Sequence, residues 1–200
     1  MSGHYFSPEP DSRLERGIVS AMLRGRRYRF VTATGVFSHK RIDNGTRLLA
    51  ESMVVPADGT LLDLGCGYGV LGIVAATLEP GLRVTMTDVN QRAAALAAEN
   101  ASRMRLGNAE VLAGDLYEPV GDRRFNTVVS NPPISAGMRR VVEPLVSGAV
   151  EHLEAGGLLQ LVVQSNKGGR TLARMIDEHF GGHLVASKGS GYRVLVACKQ

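Results

Sequence analysis

The sequence predicts an α/β fold, a Rossmann-like sheet of seven mostly parallel strands with one antiparallel strand and helices on both faces. Three observations predict it. From Gly59 onward, short β-rich runs alternate with longer helical patterns, as parallel strands joined by crossover helices require. The first of those runs leads into a glycine-rich turn and then a helix. The last two runs are separated only by Gly189, Ser190 and Gly191, a turn short enough for an antiparallel hairpin.

The elements follow in order. Residues 28–42, "YRFVTATGVFSHKRI", read as two short strands turning near Gly35, and "DNGTRLLAESMVV" reads as a helix leading to the core. Strands are then expected at 60–65, 83–89, 109–114, 125–131, 158–164, 183–188 and 192–199. A helix begins near Val70, and Asn90 is placed to cap another over "QRAAALAAENASRM". Val141, Val142, Leu145, Val146, Ala149, Val150 and Leu153 recur at helical spacing, with Gly156 and Gly157 as the expected stop. Pro144 inside that run conflicts with it, since an interior proline costs about 3 kcal/mol. No repeat or linker divides the chain, so 1–200 is expected to be one domain, with 1–58 as an N-terminal segment and 59–200 as the core.

Composition narrows the function classes. No apolar run reaches the roughly 20 residues of a membrane helix, and the opening "MSGHYFSPEPDSR" lacks the apolar centre of a secretion signal, so a cytoplasmic location is expected. Cys66 and Cys198 have no metal-ligand spacing around them, which points to free thiols and no metal. The net charge of +4 favours an anionic partner only weakly, but Arg24, Arg26, Arg27 and Arg29 fall within six positions. Such a cluster serves either as a solvated face or as a nucleic-acid footprint.

The chemistry is carried by acids and glycines at strand ends. In "LLDLGCGYGVLG", Gly65 and Gly67 allow close approach of the backbone to a ligand, while Gly67, Gly69 and Gly72 also satisfy the dinucleotide fingerprint. Asp63 discriminates: a carboxylate beside the glycines repels a pyrophosphate and suits the ammonium and sulfonium of S-adenosylmethionine. Asp88 closes the second strand where ribose hydroxyls can be held, and Asp115 follows the third, within reach of an adenine amine. The fourth strand ends in Asn131, Pro132 and Pro133, at the same carboxyl edge. The prolines fix the backbone, so the Asn131 oxygen and the Pro132 carbonyl can accept the two hydrogens of a planar exocyclic amine. Methyl transfer would then rest on orientation, with no protein nucleophile.

In "LLDLGCGYGVLG", "TDVN", "GD" and "SNPPI", preceded by "GVFSHKRIDNGTRLL", the chain resembles the small-methyltransferase-domain family of class I S-adenosylmethionine-dependent methyltransferases, which includes ribosomal RNA guanine-N2 enzymes. The resemblance implies that Asp63, Gly65 and Gly67 surround the methionine half of the cofactor, Asp88 its ribose and Asp115 its adenine. It implies that Asn131, Pro132, Pro133 and Ile134 face the target amine. It also implies that the N-terminal segment closes over the cofactor through Phe37, Asp43, Gly45 and Thr46. Ile134 departs from the aromatic residue that many amine methyltransferases carry there to stack on a flipped base. The expected substrate is guanine N2 in a structured ribosomal or transfer RNA, with S-adenosylhomocysteine as product. Arg139, Arg140, Lys167 and Arg170 join the arginine cluster as candidate phosphate contacts. The alternatives are a protein glutamine methyltransferase, a nicotinamide-dependent oxidoreductase and a non-catalytic RNA-binding module.

Overall fold

A computed structural model describes residues 12–200 together with Pro8; most of the opening stretch, read above for a secretion signal, lies outside the described residues. Seven strands form the central sheet: β3 (Gly59–Leu64), β4 (Leu82–Asp88), β5 (Ala109–Ala113), β6 (Phe125–Ser130), β7 (Leu153–Gln164), β8 (Leu184–Gly189) and β9 (Tyr192–Cys198). Their order is β5-β4-β3-β6-β7-β9-β8, and only β9 runs against its neighbours. From β3 the chain winds first towards β5 and then, through β6, towards β8. The reversal lies between β3 and β6, which pair directly, and it opens a crevice at their carboxyl ends.

Helices cover both faces because the strands are apolar on both. Leu61, Val84 and Met86 pack in one core with α1 (Asn44–Ser52), α2 (Val70–Leu78) and α3 (Gln91–Arg103). Leu62, Leu64 and Val128 pack in the other with α4 (Glu143–His152) and α5 (Gly169–Phe180). Successive residues on β3 therefore serve opposite cores.

Three sequence expectations are corrected. The N-terminal hairpin pairs β1 (Arg16–Leu23) with β2 (Arg26–Ala33), so it turns at Arg24 and Gly25 and not near Gly35. Leu23 opposes Arg26 across a two-residue loop with φ of 49° and 73°, the mirror-image turn whose twist matches paired strands. The predicted helix over 141–153 begins as α4 only at Glu143, after a wider π turn at 138–142, so Pro144 falls in the first turn, where no N–H is required. That helix stops at His152, because Leu153 already pairs with Phe125; Gly156 and Gly157 lie inside β7, beside a register shift.

Two buried amides fasten the periphery to this frame. Asn100 on α3 accepts from the Val31 N–H at 2.7 Å and donates to the Val31 carbonyl at 2.9 Å, acting as a strand would towards β2; it also donates to the Tyr68 carbonyl at 3.0 Å. Gln160 on β7 exchanges the same pair of bonds with Val54, just past α1, at 2.8 Å each.

Candidate active site at the carboxyl edge of the sheet

A cavity of about 790 Å³ runs along the carboxyl edge from β5 to β9. Gly65, Gly67 and the side chains of Asp63, Asp88 and Asp115 line one half, while the stretch from Asn131 to Ile134 lines the other.

The cofactor half is built by main chain. Gly65 and Gly67 adopt φ of 73° and 58°, and a Cβ on either would meet nothing within 4 Å, so both leave the approach to the loop open. Gly72 serves a different purpose, since a Cβ there would sit 2.4 Å from Met86 Cγ. Its N–H donates to Asp63 Oδ2 at 2.8 Å. A carboxylate thus already caps the start of α2, the position that a dinucleotide would need for its pyrophosphate. Asp63 is 1% exposed, burial pushes its pKa up to about 7, and its Oδ1 finds no partner among the described residues. An unpaired buried acceptor on a cavity wall fits a cationic ligand. Asp88 accepts from Gly67 N–H at 2.7 Å and Asn90 N–H at 2.8 Å, while burial, outweighing those bonds, raises its pKa to about 6. It holds the glycine loop and presents its remaining lone pairs to the cavity. Asp115 lies at the rim, exposed. These residues fit S-adenosylmethionine: acids for the ammonium, sulfonium and ribose, and open glycines beneath.

The acceptor half is irregular. Asn131 Nδ2 donates to Thr46 Oγ1 at 2.9 Å and to Asp43 Oδ2 at 3.2 Å, leaving Oδ1 without a partner among the described residues. The Pro132 carbonyl, expected to face the target, also accepts from Ile134 N–H at 2.9 Å, and Pro133 (φ −76°, ψ 81°) has the geometry of a tight three-residue turn. One lone pair of that carbonyl remains for an amine. Ile134 packs against Gly168, where a Cβ would come within 2.9 Å of its Cγ2, so it helps to seat α5 as well as line the cavity.

The remaining candidates divide. Phe37, Asp43 and Thr46 reach the cavity, but Gly45 lies beneath the Tyr192 ring, 2.8 Å from where its Cβ would be. Arg140 and Lys167 line the rim and are exposed; Arg139 and Arg170 are exposed outside the lining. Arg24 donates to the carbonyls of Ala50 (2.8 Å) and Met53, closing the last turn of α1, and Arg26 donates to the Thr77 carbonyl near the end of α2. Both helices begin at the cavity, so these two arginines sit at their far ends and act in the structure as C-terminal caps. Arg27 and Arg29 project from the exposed side of β2, off the cavity wall. The sequence reading missed Tyr192 and Gln164, which line the acceptor half and pair across β9 and β7. The strand order that brings them to this edge was the missing information.

Residues 27–196 match the methyltransferase small domain family. A Bacillus subtilis protein, YbxB, is 36% identical over 201 residues that cover both chains completely. The ribosomal RNA small subunit methyltransferase C of Sodalis glossinidius is 37% identical over 84% of this chain and 48% of its own. Among solved structures, the 16S rRNA N2 G1207 methyltransferase of T. thermophilus, in complex with AdoMet and guanosine, superposes with a TM-score of 0.83 at 27% identity, over 96% of this chain and 52% of that one. The chain therefore spans all of the Bacillus protein and about half the length of the other two.

Proposed function

The chain belongs to the methyltransferase small domain family and is an S-adenosylmethionine-dependent methyltransferase; from that premise we propose that it methylates the exocyclic N2 of guanine in a structured RNA, ribosomal before transfer RNA, in the cytoplasm. The observation that carries the reading is the single continuous cavity, with buried acids at one end and Asn131, Pro132 and the cations Arg140 and Lys167 at the other. The cofactor, when bound, supplies an electrophilic methyl on a cationic sulfur. Asp63 and Asp88 hold that end in place. Asn131 Oδ1 and the free lone pair of the Pro132 carbonyl accept the two amine hydrogens, which turns the nitrogen lone pair into the cavity. These two oxygens would lie beside the nitrogen as it accepts the methyl, where positive charge would develop. They stabilise it until the proton leaves to water. The carboxylate beside Asn131, that of Asp43, is already engaged by the N–H groups of Gly45 and Thr46 and by the Tyr192 hydroxyl, in keeping with a weakly basic amine that needs orientation more than deprotonation.

Arg140 and Lys167 favour RNA over the amide of a protein glutamine, because they offer phosphate contacts beside the acceptor seat and help to offset the few kcal/mol of flipping a base. The test is to incubate the protein and labelled cofactor with RNA and with protein fractions, then digest the RNA to nucleosides for mass spectrometry. N2-methylguanosine is expected. Label confined to adenosine overturns the base, and label confined to protein overturns the RNA.

A further inference from the structure

The side chain of Asn131 has one end that accepts hydrogen bonds and one that donates. Only the accepting end can hold an amine. A half-turn about its last bond exchanges the two ends without moving the backbone, so something must select the orientation. The groups facing it do so. Asp43 Oδ2, 3.2 Å from Nδ2, is a carboxylate oxygen and can only accept. Reversing the amide would place oxygen against oxygen.

Asp43 is itself fixed from three directions. Its Oδ2 accepts from the N–H groups of Gly45 (2.8 Å) and Thr46 (3.2 Å) at the start of α1, and its Oδ1 accepts from the Tyr192 hydroxyl at 3.3 Å. The Tyr192 ring covers Gly45 so closely that no other residue fits there without displacing it. Three segments remote in sequence, 43–46, 131 and 192, therefore meet around one carboxylate. Thr46 Oγ1, 2.9 Å from Nδ2, is its second acceptor.

We propose that Asp43 is a positioning residue that sets the Asn131 amide with its oxygen towards the target amine, braced by Tyr192 and seconded by Thr46. The N-terminal segment thus serves the acceptor, where sequence resemblance assigned these residues to the cofactor. This inference rests on the reading that Asn131 Oδ1 holds the target amine.

Serine at 43 can still cap α1 but is too short to reach Asn131, whereas asparagine can cap and keep an oxygen towards it. Asp43→Ser should lower kcat for methyl transfer at least about thirtyfold, with S-adenosylmethionine affinity within about twofold of wild type; Asp43→Asn should restore kcat to within about fivefold. Tyr192→Phe, which removes only the brace, should lower kcat by about threefold to tenfold. The second readout needs no turnover. In the protein without cofactor, the Asn131 side-chain NH₂ resonances, assigned by their loss in Asn131→Ala, should exchange slowly in wild type and Asp43→Asn and rapidly in Asp43→Ser. Wild-type kcat in Asp43→Ser, unchanged NH₂ exchange, or a loss of cofactor affinity that matches the loss of kcat would each overturn the inference. Wild-type protein that methylates no RNA overturns the acceptor reading alone, and the NH₂ exchange still decides whether Asp43 holds the amide.

Discussion

The two halves of the cavity are built by different means. Around the cofactor half, Asp63, Gly65 and Gly67 come from one run of five positions, and Asp88 comes from the adjacent strand; their positions are fixed by strand register and by main-chain N–H groups. Around the acceptor half, Asn131 is held by side chains from α1, its loop bends through a tight turn into a π turn, and Tyr192 arrives from near the chain's end. The first half is rigid through local geometry. The second depends on tertiary contacts, which suits a seat whose shape must differ between substrates while the cofactor stays the same.

If the halves are separable, damage to one should spare the other. Asn131→Ala should cut kcat at least about a hundredfold while calorimetric binding of S-adenosylmethionine persists, because target positioning is lost and the cofactor wall is not. Loss of both together would break the distinction.

Asp88→Ala should weaken binding of the cofactor and of S-adenosylhomocysteine by about 1 to 3 kcal/mol, and it also releases the Gly67 N–H. Its effect should appear in calorimetry, with turnover at saturating cofactor falling far less than in Asn131→Ala.

Asp63 sharpens the comparison through pH. Its folded pKa of about 7 lies above the ordinary 3.8, so its contribution to stability is fully present below about pH 4 and is lost as pH rises through 7. Asp63→Asn, which retains an acceptor for Gly72 N–H, should melt a few degrees above wild type at pH 8, with the gap closing towards pH 5. Cofactor affinity runs the other way in wild type, falling as pH drops from 7 to 6 and the carboxylates of Asp63 and Asp88 gain protons. A melting gap that does not change with pH would remove the charged role of Asp63.

The smallest effects concern RNA. Arg140→Ala and Lys167→Ala should each reduce the slope of log affinity against log salt by about 0.7 to 0.9 if each contacts one phosphate. Arg24→Ala should leave that slope alone and lower the melting temperature, since its guanidinium closes α1. An unchanged slope for both rim cations would move the RNA surface elsewhere.

Legibility in the sequence followed the same division. Asp63, the glycines and Asp88 could be found because a strand, a turn and a helix start are local patterns whose spacing carries their geometry. The seven strands could be found for the same reason. Asn131 could be found because two prolines after a buried strand need explaining. The brace at Tyr192 could not, because it depends on β9 inserting between β7 and β8. The arginine cluster left two readings open, and its bonds to the ends of α1 and α2 could not be foreseen, because charge density in sequence says nothing of which end of a helix it will meet. The turn at Arg24 and Gly25 was overlooked in favour of Gly35, because arginine is not the residue that usually takes the left-handed first position of such a loop.

Asn100 carries one further consequence. The same side-chain amide clasps Val31 in the hairpin and the Tyr68 carbonyl directly after Gly67, so the hairpin and the loop beneath the cofactor share one anchor, and opening the hairpin removes two of the three bonds that fix that amide. Opening and ligand binding are then reciprocally linked: whatever loosens the loop weakens binding, and binding must suppress the opening. Val31 lies outside the cavity wall, yet its amide hydrogen should exchange with deuterium more slowly once S-adenosylmethionine is added. In Asn100→Ala that slowing should vanish, leaving the hairpin to breathe on its own schedule.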